Sequence, residues 1–332
     1  MPTNQRILLA SRPSGFPTEA NFELVEGPVP EPGEGEVLVR NHWLSLDPYM
    51  RGRMDAVKSY ARCVELGEVM TGGTVGEVVA SRNPRFAVGE FVNGPLGWQL
   101  YALSDGANLR KVDPARAPLS YYLGVLGMPG VTAWVGLLDI AQPKPGETVV
   151  VSAAAGAVGS VAGQLARIKG CRAVGIAGGP AKCDYVAREL GFDACVDYKA
   201  GRLLDDLKAA APAGIDVQFE NVGGEVLDTA LQLMNPFGRI TICGLISQYS
   251  ATEPYPTRNL RSVLVNRLRM QGFIVSDRMQ LWPQALAELG ELVAAGRIKY
   301  RETVAHGLAN APRAFLGMLR GENLGKQLVK LV

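Results

Sequence analysis

Apolar residues in this 332-residue chain follow two periods, and the change between them falls near residue 120. Up to that point they alternate with polar residues in short runs separated by glycine and proline, the pattern of strands joined by tight turns. Strands are predicted over residues 5–11, 22–26, 36–40 and 72–80, with a further one entered from the turn at 86–92. Pro28, Pro30, Pro32 and Gly33 punctuate the approach to the third of them. Glycines inside 72–80 suit the bends of a small, irregular β-barrel.

Beyond residue 123 the spacing becomes helical up to 140, before Pro143 and Pro145-Gly146. Strand and helix then alternate. Strands are predicted over 149–152, 172–177, 194–197, 215–220 and 238–244, and helices over 158–169, 181–190, 203–210 and 224–234. Helices over 260–270 and 282–295 flank a strand at 272–275, and an alternating strand over 326–332 closes the chain. The alternation predicts an α/β architecture with a doubly wound parallel sheet. Three segments are expected: a β-barrel domain over 1–122, a nucleotide-binding domain over 123–298, and a return of 299–332 to the first domain.

One stretch concentrates the chemistry. Thr148-Val149-Val150-Val151-Ser152 reads as a strand buried on both faces, small residues follow, and a helix runs on through Val158, Val161, Ala162, Leu165 and Ile168. Strand, small-residue turn and helix are the setting of the dinucleotide fingerprint, present here as Ala154-x-Gly156-x-x-Gly159. Gly156 has no Cβ, so the backbone of Gly156, Ala157 and Val158 can approach a pyrophosphate. Gly159 lets the helix lie against the strand. Free N–H groups and the positive end of the helix dipole complete an anion site. A tight turn with no ligand would use the same residues.

The next strand ends in Gly178-Gly179-Pro180-Ala181-Lys182. Sheets that bind NAD place a carboxylate there to hold the ribose 2′-OH. Its absence, with Lys182 one turn further on, favours a 2′-phosphate and hence NADP(H). An ordinary solvated lysine is the plainer alternative.

Composition narrows the field. No apolar run reaches about 18 residues, so no membrane partner is expected. With 34 basic and 32 acidic residues the net charge is +2, which offers nothing to nucleic acid. The first ten residues lack a secretory pattern. Cys63, Cys171, Cys183, Cys195 and Cys243 are dispersed without a C-x-x-C pair, which suits the cytoplasm. His42 and His306 stand far apart, and no compact ligand set for a metal is visible.

Seven strings in one order carry a resemblance over the whole chain. They are Leu46-Asp47-Pro48-Tyr49-Met50-Arg51-Gly52-Arg53-Met54, Gly127-Met128-Pro129-Gly130-Val131-Thr132-Ala133, and Ala153-Ala154-Ala155-Gly156-Ala157-Val158-Gly159-Ser160. Then come Glu220-Asn221-Val222-Gly223-Gly224, Cys243-Gly244-Leu245-Ile246-Ser247-Gln248-Tyr249, Gln271-Gly272-Phe273-Ile274-Val275 and Gly321-Glu322-Asn323-Leu324-Gly325-Lys326. The chain resembles the zinc-independent medium-chain dehydrogenase/reductases. Within them it is similar to the NADPH-dependent enone and alkenal double-bond reductases, the group of the leukotriene/prostaglandin, plant alkenal and curcumin reductases.

The resemblance implies a GroES-like barrel domain and a Rossmann domain. It implies that Gly156, Ala157, Val158 and Gly159 hold the pyrophosphate, and that Lys182 and Tyr198 contact the 2′-phosphate. Asn221 would lie beside the nicotinamide ribose, and Cys243 and Gly244 would open a loop over the nicotinamide half. Phe273, Ile274 and Val275 would offer backbone groups to the carboxamide. Asn323 would reach the cofactor from the returning tail, and Met128 and Thr132 would contact it too. Plainer roles stay open: core packing for Phe273 and Val275, a small buried hydrophobe for Cys243, a surface aromatic for Tyr198.

Where zinc-dependent members place a catalytic cysteine this chain has Asp47, and where they place Gly-His-Glu it has Val69-Met70-Thr71. The implied reaction sends hydride to the β-carbon of an α,β-unsaturated ketone or aldehyde. The resulting enolate asks for less stabilisation than an alkoxide, and a tyrosine or water can protonate it. Tyr249 matches the proposed proton donor of the plant enzymes, and Tyr49 is the second candidate. Val265 stands where the animal enzymes carry a further tyrosine. The resemblance also implies a homodimer paired through the last strands of the sheet. Two rivals stay open: a zinc-free quinone oxidoreductase and a non-catalytic, crystallin-like NADPH-binding protein.

Overall fold

In the computed structural model, which describes residues 3–332, one unit holds the chain up to Gly124 together with Glu302–Val332, and the other is Val125–Arg301. The first begins with an antiparallel pair, β1 (Thr3–Leu9) and β2 (Phe22–Pro28). Strands β3 (Val37–Ser45), β4 (Thr74–Ser81), β5 (Phe91–Gly94), β6 (Tyr101–Ser104) and β7 (Arg110–Val112) make up most of a second, mixed sheet. Alternation builds its interior: Val37 and Val39 pack with Val78, Val92 and Ala102. A separate core gathers Leu44, Leu46, Met50, Trp98 and Phe315, with Phe22 stacked on Trp98 at 5.6 Å.

β3 runs on to Ser45, beyond its predicted end at 40, because Asn41 is satisfied inside the sheet. Its Nδ2 donates to Gln99 O at 2.8 Å and its Oδ1 accepts from Thr74 Oγ1 at 2.8 Å. A buried polar side chain with both ends bonded need not end a strand. Opposite it, a Cβ on Gly76 would lie 2.3 Å from Arg40 O, where the pairing register shifts. Helix α1 (Tyr49–Arg53) follows β3 directly.

The second unit opens with α2 (Met128–Trp134), which widens into a π-helical stretch over Val135–Ala141. Glycine is required here by contact: a Cβ on Gly130 would lie 1.9 Å from Val125 O. Then follow β8 (Thr148–Ser152), α3 (Gly159–Ile168), β9 (Arg172–Ala177), α4 (Pro180–Asp184) and β10 (Ala194–Asp197). The chain continues through α5 (Leu203–Ala210), β11 (Ile215–Glu220), α6 (Gly224–Leu233), β12 (Met234–Ile242), α7 (Arg261–Val265), β13 (Arg269–Gly272) and α8 (Trp282–Ala294). The six strands are parallel in the order β10-β9-β8-β11-β12-β13. Chain order reverses between β8 and β11, which creates a crevice at their carboxyl ends. The spans of β9, β10, α5 and β11 coincide with those predicted from spacing.

The strand predicted over 238–244 starts earlier, at Met234, and ends at Ile242, and three further predicted elements differ in kind or place. The helix expected over 181–190 is α4 followed by a π-helical turn over Tyr185–Glu189. The helix expected over 260–270 stops at Val265, where Arg267 takes φ +49° and Leu268 N bonds Val263 O. Residues 269–272 then pair with 239–242, because the open side of β12 offers a backbone ladder that a solvent-facing helix does not. The strand expected at 272–275 therefore lies at Arg269–Gly272. Phe273 leaves the sheet and lays its ring against Gly136, where a Cβ would sit 2.8 Å from Phe273 Cζ.

β14 (Glu302–His306), α9 (Ala311–Leu319) and β15 (Lys326–Lys330) complete the first unit. β15 pairs parallel with β14 and antiparallel with β3. Buried Lys326 Nζ donates to Leu46 O at 2.6 Å and to Asp47 Oδ1 at 2.8 Å, while Ser45 Oγ donates to the other Asp47 oxygen. Burial pushes the Lys326 ammonium below its usual pKa, and the Asp47 carboxylate opposes that. Among the described residues no helix is long and apolar enough to cross a membrane.

Breaking one side of this pair strands a buried charge. Lys326→Met should cost about 3–5 kcal/mol in urea unfolding, and combining it with Asp47→Asn should recover most of that. A loss below about 1 kcal/mol in the single variant would show that the pair contributes no more than a surface ion pair.

Candidate active site

At the carboxyl end of β8 the chain turns sharply. Ala153 adopts φ +49°, and Gly156 N donates to Ala153 O at 2.9 Å. α3 then starts so close to this turn that a Cβ on Gly159 would lie 2.3 Å from Ala153 O and 3.0 Å from Ala154 Cα. Gly156 is different: a Cβ there would meet Ala153 O at 3.2 Å and otherwise face open space. Neither the turn nor α3 uses the N–H groups of Ala157, Val158 and Gly159. With the dipole of a ten-residue helix behind them, these groups can take up an anion.

β9 ends beside β10, and this neighbour decides the chemistry there. A Cβ on Gly178 would lie 2.8 Å from Tyr198 Cε1 and 3.0 Å from Lys199 Cε, so only glycine lets both side chains lie over the strand end. Gly179, at φ +96°, donates its N–H to Asp197 Oδ1 at 2.7 Å, and the same oxygen accepts from Lys199 N at 2.9 Å. Lys182 stands on the first turn of α4. Burial, and then the Lys199 ammonium, push its pKa below the usual lysine value. Two lysines close enough to oppose each other's charge, with Tyr198 45% exposed beside them, suit a dianion such as a phosphate. Lys199 was not singled out from the sequence. Its role depends on β10 lying next to β9, which spacing along one strand does not reveal.

The crevice between β8 and β11 has a carboxylate for its floor. Glu220 is fully buried; it accepts from Ser152 Oγ at 2.8 Å, Val222 N at 2.6 Å, Gly223 N at 2.7 Å and Gln218 Nε2 at 2.7 Å. Burial raises its pKa while the four donors pull it down. Asn221 is fixed from both ends, its N–H on Ser152 Oγ and its Nδ2 on Ser152 O, each at 2.7 Å. Cys243 N and Gly244 N donate to Glu220 O at 2.9 and 3.2 Å. Burial, then the charge of Glu220, pushes the Cys243 thiol up to about 12, which disfavours the thiolate form. Leu245 N donates to Tyr249 Oη at 3.2 Å, which folds the ring back over Gly244.

The sequence candidates thus gather in groups. Gly156, Ala157, Val158 and Gly159 lie at the end of β8, Lys182 and Tyr198 at the ends of β9 and β10, and Asn221, Cys243, Gly244 and Tyr249 beyond β11 and β12. On α2, Thr132 Oγ1 donates to Met128 Sδ at 3.5 Å. Ile274 O and Val275 O accept from Asp277 N at 3.0 Å and from the Trp282 indole at 3.3 Å. Tyr49 and Asn323 belong to the other unit. Tyr49 opens α1, bonded to Thr71; burial, then Asp47 and Tyr60, raise its pKa. Asn323 donates to Gly325 O at 2.8 Å and lines a groove of about 370 Å³ with Thr303, His306 and Glu322. Among the described residues no group of three or more His, Cys, Asp and Glu side chains could hold a metal ion.

Two family models match this chain, the N-terminal domain of oxidoreductase over residues 5–112 and zinc-binding dehydrogenase over 157–291. Over 334 aligned residues it is 49% identical to the NADPH-dependent curcumin reductase of Escherichia coli (strain K12), covering 99% of this chain and 97% of that protein. The chain is a medium-chain dehydrogenase/reductase. A second member of the family, the 2-alkenal reductase (NADP(+)-dependent) of Nicotiana tabacum, is 42% identical over 98% of this chain and 97% of its own. Among solved members, CurA of Vibrio vulnificus in complex with NADPH is 49% identical over 99% of both chains, with a TM-score of 0.95.

The geometry generates a binding test that needs no substrate. Lys182→Ala and Lys199→Ala should each weaken 2′,5′-ADP about tenfold in a calorimetric titration, the worth of one charge-assisted hydrogen bond, and leave 5′-AMP unaffected. Gly178→Asp should weaken it further, since the new side chain displaces both Tyr198 and Lys199. Equal losses for the two nucleotides would remove the lysines from a phosphate site.

Proposed function

We propose that this protein reduces the C=C bond of α,β-unsaturated ketones and aldehydes with NADPH. What carries the reading is 42–49% identity over nearly the whole chain with reductases of 2-alkenals and of curcumin. Gly156, Ala157, Val158 and Gly159 hold the pyrophosphate, and Lys182, Lys199 and Tyr198 hold the 2′-phosphate. Asn221 accepts from the nicotinamide ribose through Oδ1, since its Nδ2 is committed to Ser152 O. The Cys243–Gly244 loop, the backbone of Phe273, Ile274 and Val275, Met128, Thr132 and Asn323 complete the cofactor contacts.

When bound, NADPH supplies a hydride to the β-carbon of the substrate. The enolate that results takes its proton at the α-carbon from Tyr249. The Leu245 N–H on Tyr249 Oη supports this role, because it stabilises the phenolate left behind. Tyr49 is suited to hydrogen bonding the carbonyl rather than to releasing a proton, since burial and Asp47 keep it protonated. No Lewis acid enters the proposal. Asp47, at the position of the catalytic cysteine in zinc-dependent members, is already bonded to Lys326 and Ser45.

In this reading residues 1–122 and 299–332 form the substrate-bearing barrel and 123–298 the cofactor domain. Five free thiols support a cytoplasmic location. A homodimer pairs through β13, one of the two edge strands of the parallel sheet, around which Phe237 is 66% and Leu264 79% exposed.

Recombinant protein should oxidise NADPH in the presence of benzylideneacetone or a trans-alkenal and release the saturated carbonyl; an allylic alcohol as product would overturn the assignment. Tyr249→Phe should lower kcat about 100-fold with little change in NADPH affinity, whereas full turnover would hand the proton to Tyr49 or water. Leu264→Glu should convert a dimer to a monomer in size-exclusion chromatography, and an unchanged elution volume would place the contact elsewhere.

A further inference from the structure

Glu220 closes β11 with no exposed surface, and every partner it has is a neutral donor. Ser152 Oγ, Val222 N and Gly223 N all donate to Oε1, at 2.8, 2.6 and 2.7 Å, and Gln218 Nε2 donates to Oε2 at 2.7 Å. Among the described residues Glu220 forms no ion pair, whereas Asp47, Glu147 and Glu288 each face a base.

The bonds identify the form of this acid. Two backbone N–H groups point at Oε1 and can only donate, so a carboxyl proton could sit on Oε2 alone. There the Gln218 amide presents its NH2 group, and to do so it leaves its own Oε1 buried without a partner. That orientation suits an anion; a protonated acid would be met better by the amide oxygen. Yet the local bonds do not call for a charge. A glutamine at 220 would offer a carbonyl oxygen to Val222 N and Gly223 N without burying an unpaired anion.

The two segments assigned above to the nicotinamide half both hang on this residue. Asn221 N shares Ser152 Oγ with the carboxylate, and Cys243 N and Gly244 N donate to Glu220 O. The field of the carboxylate reaches the second segment, since it helps to raise the Cys243 thiol. A dihydronicotinamide that gives up a hydride loses the electron pair with it, and its ring becomes one unit more positive. That ring is the cation missing from the crevice.

We propose that the buried charge of Glu220 acts through space on the nicotinamide and stabilises the oxidised ring over the reduced one. The inference rests on the placement of the nicotinamide half beside Asn221 and the Cys243–Gly244 loop, and it adds the reason the bound cofactor gives up its hydride readily. Glu220 exchanges no proton and forms no bond to the cofactor. At an effective dielectric of about 20, one unit charge is worth more than a factor of ten out to about 10 Å.

Calorimetric titration with NADP+, NADPH and 2′,5′-ADP tests this without substrate. Glu220→Gln should raise the ratio of Kd for NADP+ to Kd for NADPH at least about tenfold and leave 2′,5′-ADP, which lacks the ring, within about threefold of wild type. Glu220→Asp, which keeps the charge, should keep the ratio near wild type even where both dinucleotides bind more weakly. Gln218→Lys sets an ammonium against an intact carboxylate and should raise the ratio as Glu220→Gln does. Should Glu220→Gln no longer bind 2′,5′-ADP, the ratio in Gln218→Lys decides. Equal weakening of NADP+ and NADPH in the neutralised variants, or loss of 2′,5′-ADP from both, would mark the carboxylate as a structural knot and overturn the proposal. A wild type that binds 2′,5′-ADP but gains nothing from either nicotinamide ring would instead refute the placement of that half, and the proposal with it.

Discussion

A carbonyl oxygen occupies the space that any side chain at position 159 would need. Because Ala153 O presses against the first residue of α3, helix and strand meet at a distance only glycine allows. The close approach turns the N–H groups of residues 157–159 away from both elements and leaves them for a ligand. Parallel pairing sets the end of β8 next to the end of β11, where Glu220 ties Ser152, Val222 and Gly223 together with short bonds. Asn221, Gly244 and Tyr249 take their places from that knot. The crevice at these strand ends takes its shape from one tight contact and from the buried carboxylate beneath it.

The first unit is organised by a comparable economy of polar groups. Lys326 and Asp47 come from segments 279 residues apart, and their pairing ties the returning β15 to the start of α1. A buried ion pair of this kind adds little net stability over a well-packed apolar pair, yet it fixes which segments meet. It also consumes the carboxylate nearest to Tyr49. The two arginines of α1 then divide: Arg51 is neutralised by Asp55, while Arg53 is left to aromatic faces.

The proposed preference for a phosphorylated ribose illustrates how a missing group can be functional. Gly178 does more than omit the acid found in NAD-binding sheets. Its lack of a side chain admits Tyr198 and Lys199 across the end of β9, so one position removes a negative charge and makes room for a positive one. The near-complete coverage by NADPH-dependent family members accords with this arrangement.

What could be read without coordinates was whatever a local rule encodes. The three valines of β8, the glycine spacing after them and the alternation from residue 172 to 220 each depend on neighbours a few positions away, and they marked strands, helices and the tight turn that joins β8 to α3. The ordered strings from Leu46 to Lys326 carried the family. Tertiary structure decided what depends on residues distant in sequence. Apolar residues near 270 could serve helix or strand until the open side of β12 drew residues 269–272 into the sheet. Lys199 came to lie over the end of β9 only because β10 pairs with that strand. Periodicity reports which face a residue turns inward; it cannot report which charge waits there, because Coulomb pairing acts through space and not along the chain.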